Sequence, residues 1–159
     1  MKEMLTILIV NFNSADFIGD VRNYSNVFFE ENFDLVLCCQ VLEHLPYSDF
    51  SIALRNLYSI TKKYLIITLA YTSKGTFKPY FKINIFPFFK PMACIKIFNF
   101  FPKEHIFNGQ HYWEIGKKGY KLKRILKDIR KNGFRLIKSY PIFENPYHYV
   151  IVCEKEGPD

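Results

Sequence analysis

Residues 15–46 read ADFIGDVRNYSNVFFEENFDLVLCCQVLEHLP, and the order of features in this stretch decides the fold class. The run 33–39 (FDLVLCC) is almost unbroken apolar sequence, the pattern of a strand buried on both faces in a parallel sheet. Ahead of it, residues 16–19 read as a short strand ending at Gly19-Asp20, and the polar stretch 22–32 reads as a loop or one weak turn. After it, Ser48 or Asp49 offers a side-chain oxygen to cap a helix. Phe50, Ala53, Leu54, Leu57 and Ile60 or Thr61 then recur at helical spacing up to Lys62. Residues 64–69 (YLIITL) form the next buried strand. Strand, helix and strand in this order predict a right-handed parallel crossover and an α/β fold.

Working outward, residues 4–10 (MLTILIV) predict another buried strand. On the other side, residues 71–118 break the rhythm: nine phenylalanines lie between Phe77 and Phe107, among repeated prolines and lysines. This reads as an insertion covering one end of the sheet, a lid or substrate cap. Leu122, Ile125, Leu126 and Ile129 then mark an amphipathic helix stopped by Asn132-Gly133, a left-handed C-terminal signal. Strands at 134–140 and 147–154 flank Glu144-Asn145-Pro146 and predict a closing antiparallel hairpin. At 159 residues the whole chain fits one domain with one core.

Composition narrows the function classes. A hydrophobic fraction of 49% marks a chain that folds. The net charge of +7 concentrates anions without choosing among them. The lysines are scattered, and their densest run, 117–131, reads as the solvated face of a helix, so no direct nucleic-acid contact is expected. Cys38, Cys39, Cys94 and Cys153 match neither a metal knuckle nor a secreted disulfide framework, and the histidines lack ligand spacing, so no metal is expected. The sequence has no G-x-S-x-G elbow, which argues against a hydrolase. With no signal-peptide core at the start, the expected compartment is the cytoplasm.

The pairing of Gly19-Asp20 with the later F-D-L-V and L-E-H-L elements resembles the small-molecule class I S-adenosylmethionine-dependent methyltransferases. That resemblance implies a Rossmann-like sheet with a C-terminal antiparallel hairpin and S-adenosylmethionine as cofactor. It also implies methyl transfer to a small or lipid-like acceptor. Open α/β sheets bind ligands beyond the carboxyl ends of their strands. The resemblance therefore places Asp20 at the adenine amino group, the Val21 amide at the ring edge, and Cys39, Gln40 and Val41 along the methionine and ribose side. Asn11 falls where the family has the acid that holds the ribose diol. Glu43 and His44 would face the transferable methyl group. FNGQHYWEIGKKGY (107–120) and ENPYHY (144–149) resemble late segments of a microbial branch of the family, and Tyr71, His111, Trp113 and Glu114 would line the acceptor pocket.

The sequence also departs from that family. No glycine precedes Gly19, so the D/E-x-G-x-G cofactor loop is not among these residues, and Asn11 offers one neutral acceptor oxygen where a carboxylate offers two charged ones. The resemblance implies a truncated domain in which roughly 40–60 residues before Met4, containing the usual first strand and its following helix, are absent. The first strand sits at the centre of the family's sheet, and its loss would leave two rows of backbone donors and acceptors unpaired. Either residues 4–10 close the gap beside 33–39, or another chain, a second copy or a complementing partner, supplies a strand. Two alternatives to an enzyme stay open: a non-catalytic methyltransferase-like remnant or partner subunit, and a basic, aromatic membrane-surface module built on the Phe-rich stretch with Lys78, Lys82, Lys90 and Lys96.

Overall fold

The computed structural model describes residues 7–9, 20–23, 33–72, 80–82, 92–94, 103–107, 109–142, 145 and 147–157. Five strands form one sheet, in the order β1 (Ile7–Ile9), β2 (Phe33–Cys39), β3 (Thr61–Ala70), β7 (His148–Lys155) and β6 (Phe134–Pro141). β1 runs parallel to β2, and β2 parallel to β3. β7 lies antiparallel between β3 and β6, so it is the one reversed strand of the sheet. The α/β class, the parallel strands and the closing hairpin all follow the sequence reading. Of the two ways to close the sheet, the structure shows the first: Ile7, Leu8 and Ile9 pair with Leu35, Val36 and Leu37. The short strand expected at 16–19 lies outside the described residues, as does Asn11.

Two helices pack side by side on one face: α1 (Phe50–Ile60) against β2 and β3, and α2 (Leu122–Lys131) against β6. The apolar face of α1 is the expected one: Phe50, Ala53, Leu54, Leu57 and Ile60 are all buried. They meet Val36 and Cys38 of β2 and Leu65, Ile67 and Leu69 of β3, alternate residues whose side chains leave the pleat on the same side. Ile125 and Ile129 of α2 complete this core, with Leu122 and Leu126 half-buried at its margin. Gly133 ends α2 at φ +86°, the left-handed conformation that Asn132-Gly133 predicts.

The expected cap of α1 is a correction. Neither Ser48 nor Asp49 accepts a bond from the helix's first turn. A one-turn 3-10 segment, Tyr47–Asp49, leads directly into α1, so Asp49 already has helical dihedrals and its carboxylate turns outward to Arg22 at 2.9 Å. Within the Phe-rich stretch the structure adds a two-stranded antiparallel sheet, β4 (Tyr80–Lys82) with β5 (Met92–Cys94). The segment 111–116 runs beside the main sheet, where Tyr71 bridges Ile115 in parallel and Trp113 and Ile115 are fully buried. Trp113 and Ile115 of the insertion therefore belong to the core.

Candidate functional site

The site is built at the carboxyl ends of β2 and β3. As β2 ends, the chain turns through Gln40, the one described non-glycine residue at positive φ (+55°), and its N–H donates to Thr68 O at 3.0 Å. A β-carbon in this region is strained by of order 1 kcal/mol, a cost found where surrounding structure fixes a turn at a functional end of a strand. Gln40 makes that turn and leaves Cys39 exposed, with Val41 buried behind it.

Glu43 follows, in the 3-10 turn Leu42–His44, and it is fully buried. Its Oε1 accepts from Ala70 N–H at 3.0 Å, fastening the turn after β2 to the last residue of β3. With its amide turned so that the nitrogen faces Glu43, Gln40 donates to Glu43 Oε1 at 3.0 Å and accepts from Leu69 N–H at 3.3 Å. Glu43 Oε2 is buried with no hydrogen-bond partner among the described residues. Burial pushes the Glu43 carboxyl up to about 7, against the backbone bonds and nearby His111, which favour the ionised form. Glu43 thus ties two strand ends together from beneath, while His44 beside it is exposed.

Residues 110–116 run along this turn. His44 Nδ1–H donates to Gln110 O at 2.9 Å, and Tyr112 N–H donates to Glu43 O at 2.8 Å. Ile115 N–H donates to Ala70 O and Thr72 N–H to Ile115 O, both at 3.0 Å. Trp113 is enclosed by Tyr47 and Phe50, which meet it edge to face at 5.0 and 5.2 Å, and its indole N–H donates to Leu45 O at 3.1 Å. With Trp113 facing the core, His111 and Glu114 are left on the side of the turn after β2. His111 Nδ1 lies 3.1 Å from Glu114 Oε1, Thr72 Oγ1 donates to Glu114 Oε2, and the His44 and His111 rings meet edge to face at 4.8 Å. Burial would raise the Glu114 carboxyl, but the bonds from Thr72 and His111 outweigh it and hold the group below the usual range.

Gly116 closes the segment at φ +97°, and a β-carbon there would stand 2.5 Å from Thr72 O. Both the dihedral and the contact oppose any side chain. Gly116→Ala is expected to destabilise the fold by about 2 kcal/mol, by the cost of a strained left-handed residue that cannot relax. Urea unfolding of the variant checks this.

Asp20 and Val21 occupy a separate turn docked on α1. Val21 is buried and its carbonyl accepts from Asn56 Nδ2 at 3.0 Å. The Asp20 carboxylate is exposed and engaged by Arg22, whose guanidinium reaches it at 2.6 Å and Asp49 at 2.9 Å. Arg22 holds the Asp20 carboxyl below its usual range. Among the described residues, the structure thus brings together Gln40, Val41, Glu43, His44, Tyr71, His111 and Glu114. Trp113 stands behind them in the core, and Asp20 lies apart with Arg22. Thr72, His105 and Arg22 were not foreseen. His105 Nε2–H donates to His111 O at 2.6 Å. Arg22, two residues from Asp20, was readable as its partner. Thr72 was not, because Glu114 lies 42 residues away. Among the described residues no group of His, Cys, Asp and Glu is arranged to hold a metal, and no helix is long and apolar enough to cross a membrane.

No protein-family model matches the sequence, and no curated protein matches it either. Solved structures do resemble it. A Burkholderia thailandensis 1,6-didemethyltoxoflavin N1-methyltransferase superposes with a TM-score of 0.52 at 14% identity, over 86% of this chain and 48% of that one. An S-adenosylmethionine-dependent methyltransferase from Clostridium acetobutylicum gives 0.52 at 12% identity, over 87% and 63%. Another from Methanosarcina mazei gives 0.53 at 11%, over 91% and 69%. The chain spans about half to two thirds of the length of these proteins. Three parallel strands with a reversed strand inserted beside the third give this chain the class I methyltransferase fold.

Proposed function

We propose that the protein binds S-adenosylmethionine at the carboxyl ends of β1 and β2 and transfers its methyl group to a small or lipid-like acceptor. The observation that carries this reading is the locked turn at residues 40–44, where Gln40 and Glu43 fix the strand ends on which this fold binds ligands. The residues fit the cofactor in part. The exposed Cys39 and the backbone of Gln40 and Val41 would take its methionine side, and the turn bearing Glu43 and His44 would border the methyl group. At the adenine side, Asp20 already holds Arg22, but a carboxylate has about four acceptor positions and can share itself with an amino group. When bound, the cofactor supplies an activated methyl group. The chain's own part is to orient an acceptor and exclude water.

An apolar acceptor suits the surface beside His111. Ile106 and Phe107 are 83% and 51% exposed, and Phe107 stacks on the exposed Tyr112 at 4.4 Å. A second reading, a methyltransferase-like partner subunit without catalysis, is favoured by the Asp20–Arg22 pair, which already engages the carboxylate expected at the adenine. Calorimetric titration separates the two. The methyltransferase reading expects saturable heat with S-adenosylmethionine and a rise in melting temperature. No heat and no thermal shift at millimolar cofactor would leave the partner-subunit reading.

A further inference from the structure

We infer that His111 is the proton acceptor of the transfer reaction, through Nε2, and that Glu114, held by Thr72, is the residue that positions it. The inference rests on the methyl-transfer reading and extends it to the chemistry of the acceptor. An acceptor carrying O–H or N–H must lose a proton as its new bond to carbon forms. When bound, S-adenosylmethionine would supply the methyl group and be left as the neutral thioether. The acceptor's proton passes to His111 Nε2, and the imidazolium so formed faces the Glu114 carboxylate.

The geometry is that of an oriented imidazole. Glu114 is ionised and can only accept, so the proton of neutral His111 sits on Nδ1, 3.1 Å from Glu114 Oε1. Thr72 Oγ1–H donates to the other carboxylate oxygen and fixes its direction. Nε2 of His111 is then the lone-pair nitrogen and has no hydrogen-bond partner among the described residues. The two side chains are 22% and 16% exposed, so the pair is shielded while its ring can still be reached.

A pair that merely tied the loop down would be redundant. Backbone bonds from Tyr112 to Glu43, from Ile115 to Ala70 and from Thr72 to Ile115 already hold this segment, and the Trp113 indole adds another. The ionisable groups around the ring are Glu114 on its own segment, His44 edge-on at 4.8 Å, His105 on the His111 carbonyl, and Glu43, whose carboxyl the His111 charge affects. His111 stands next to the turn after β2, where the methyl-transfer reading puts the reacting carbon.

Imidazole nitrogen NMR on the full-length chain tests this without an identified acceptor. At pH 8 the free protein is expected to show His111 as the Nδ1–H tautomer, and Glu114→Gln to give a mixture of tautomers, since an amide can accept or donate at Nδ1 whereas the carboxylate only accepts. Complexes with S-adenosylhomocysteine and with sinefungin, which carries an amine in place of the methyl-sulfonium centre, supply the second arm. A cation at the methyl position is expected to move the His111 Nε2 resonance relative to the neutral thioether complex, because its field acts on the nearby lone pair. An Nε2–H tautomer, or His111 nitrogen resonances that are identical in the two complexes, overturns the assignment. Calorimetry on the same samples reads binding separately. Failure of both compounds to bind overturns the methyl-transfer reading and this inference with it, whereas binding with an unresponsive His111 overturns the inference alone.

Discussion

Trp113→Ala is expected to destabilise the protein by about 3–5 kcal/mol, the range for truncating a buried Trp or Phe, and to lower its melting temperature by roughly 10 °C. Trp113 is fully buried, and its ring fills the space between Tyr47, Phe50 and Tyr120. The substitution opens a cavity among rings that cannot collapse into it and leaves Leu45 O without the indole donor. Trp113→Phe keeps most of the packing and loses only the N–H, so its cost should be about 1–2 kcal/mol, near that of one buried hydrogen bond. Chemical denaturation of both variants checks the order. Equal losses would mean that the hydrogen bond, and not the packed ring, holds the 110–116 segment to the core.

Glu43→Gln is expected to remove a pH dependence of stability. The native carboxyl is raised from 4.5 to about 7, so between those values the folded chain binds more protons than the unfolded one. Stability from this group is therefore fully present below pH 4.5, falls as pH rises, and is lost above pH 7. The loss amounts to about 3 kcal/mol at 1.36 kcal/mol per unit, an order-of-magnitude figure for a fully buried group. Glutamine can keep the bond to Ala70 N–H through its carbonyl oxygen and carries no charge, so the variant should be the more stable protein at pH 8 and close to wild type at pH 5. Urea midpoints at the two pH values decide this. A variant that tracks wild type at both would show that Glu43 is not the group that titrates.

The fold was legible in the sequence because its signals are local. The β2 run, the five buried positions of α1 and the Asn132-Gly133 stop each depend on the chemistry of neighbouring residues and stand where their patterns predict, whereas α1 ends at Ile60 rather than Lys62 and β3 begins at Thr61, three residues before the expected Tyr64. The cap of α1 misled because Asp49 had a competing partner, Arg22, 27 residues away in sequence. The site was less legible for the same reason. Glu43 could be singled out, but not its bond to Ala70, which exists only once β3 lies beside β2. Trp113 and His111 looked alike as pocket material in FNGQHYWEIGKKGY. What separates them is the bend at Tyr112, which sends the indole into the core and leaves the imidazole with Glu114.

The central claim is that S-adenosylmethionine binds at the carboxyl ends of the parallel strands. Backbone amide NMR during titration with S-adenosylhomocysteine tests it most directly. The account predicts saturable shifts at Val21 and across residues 39–44, with little change at the far end of the sheet around Tyr58 and Gly133. Saturable shifts confined to that far end, or no shifts at millimolar ligand, would contradict it.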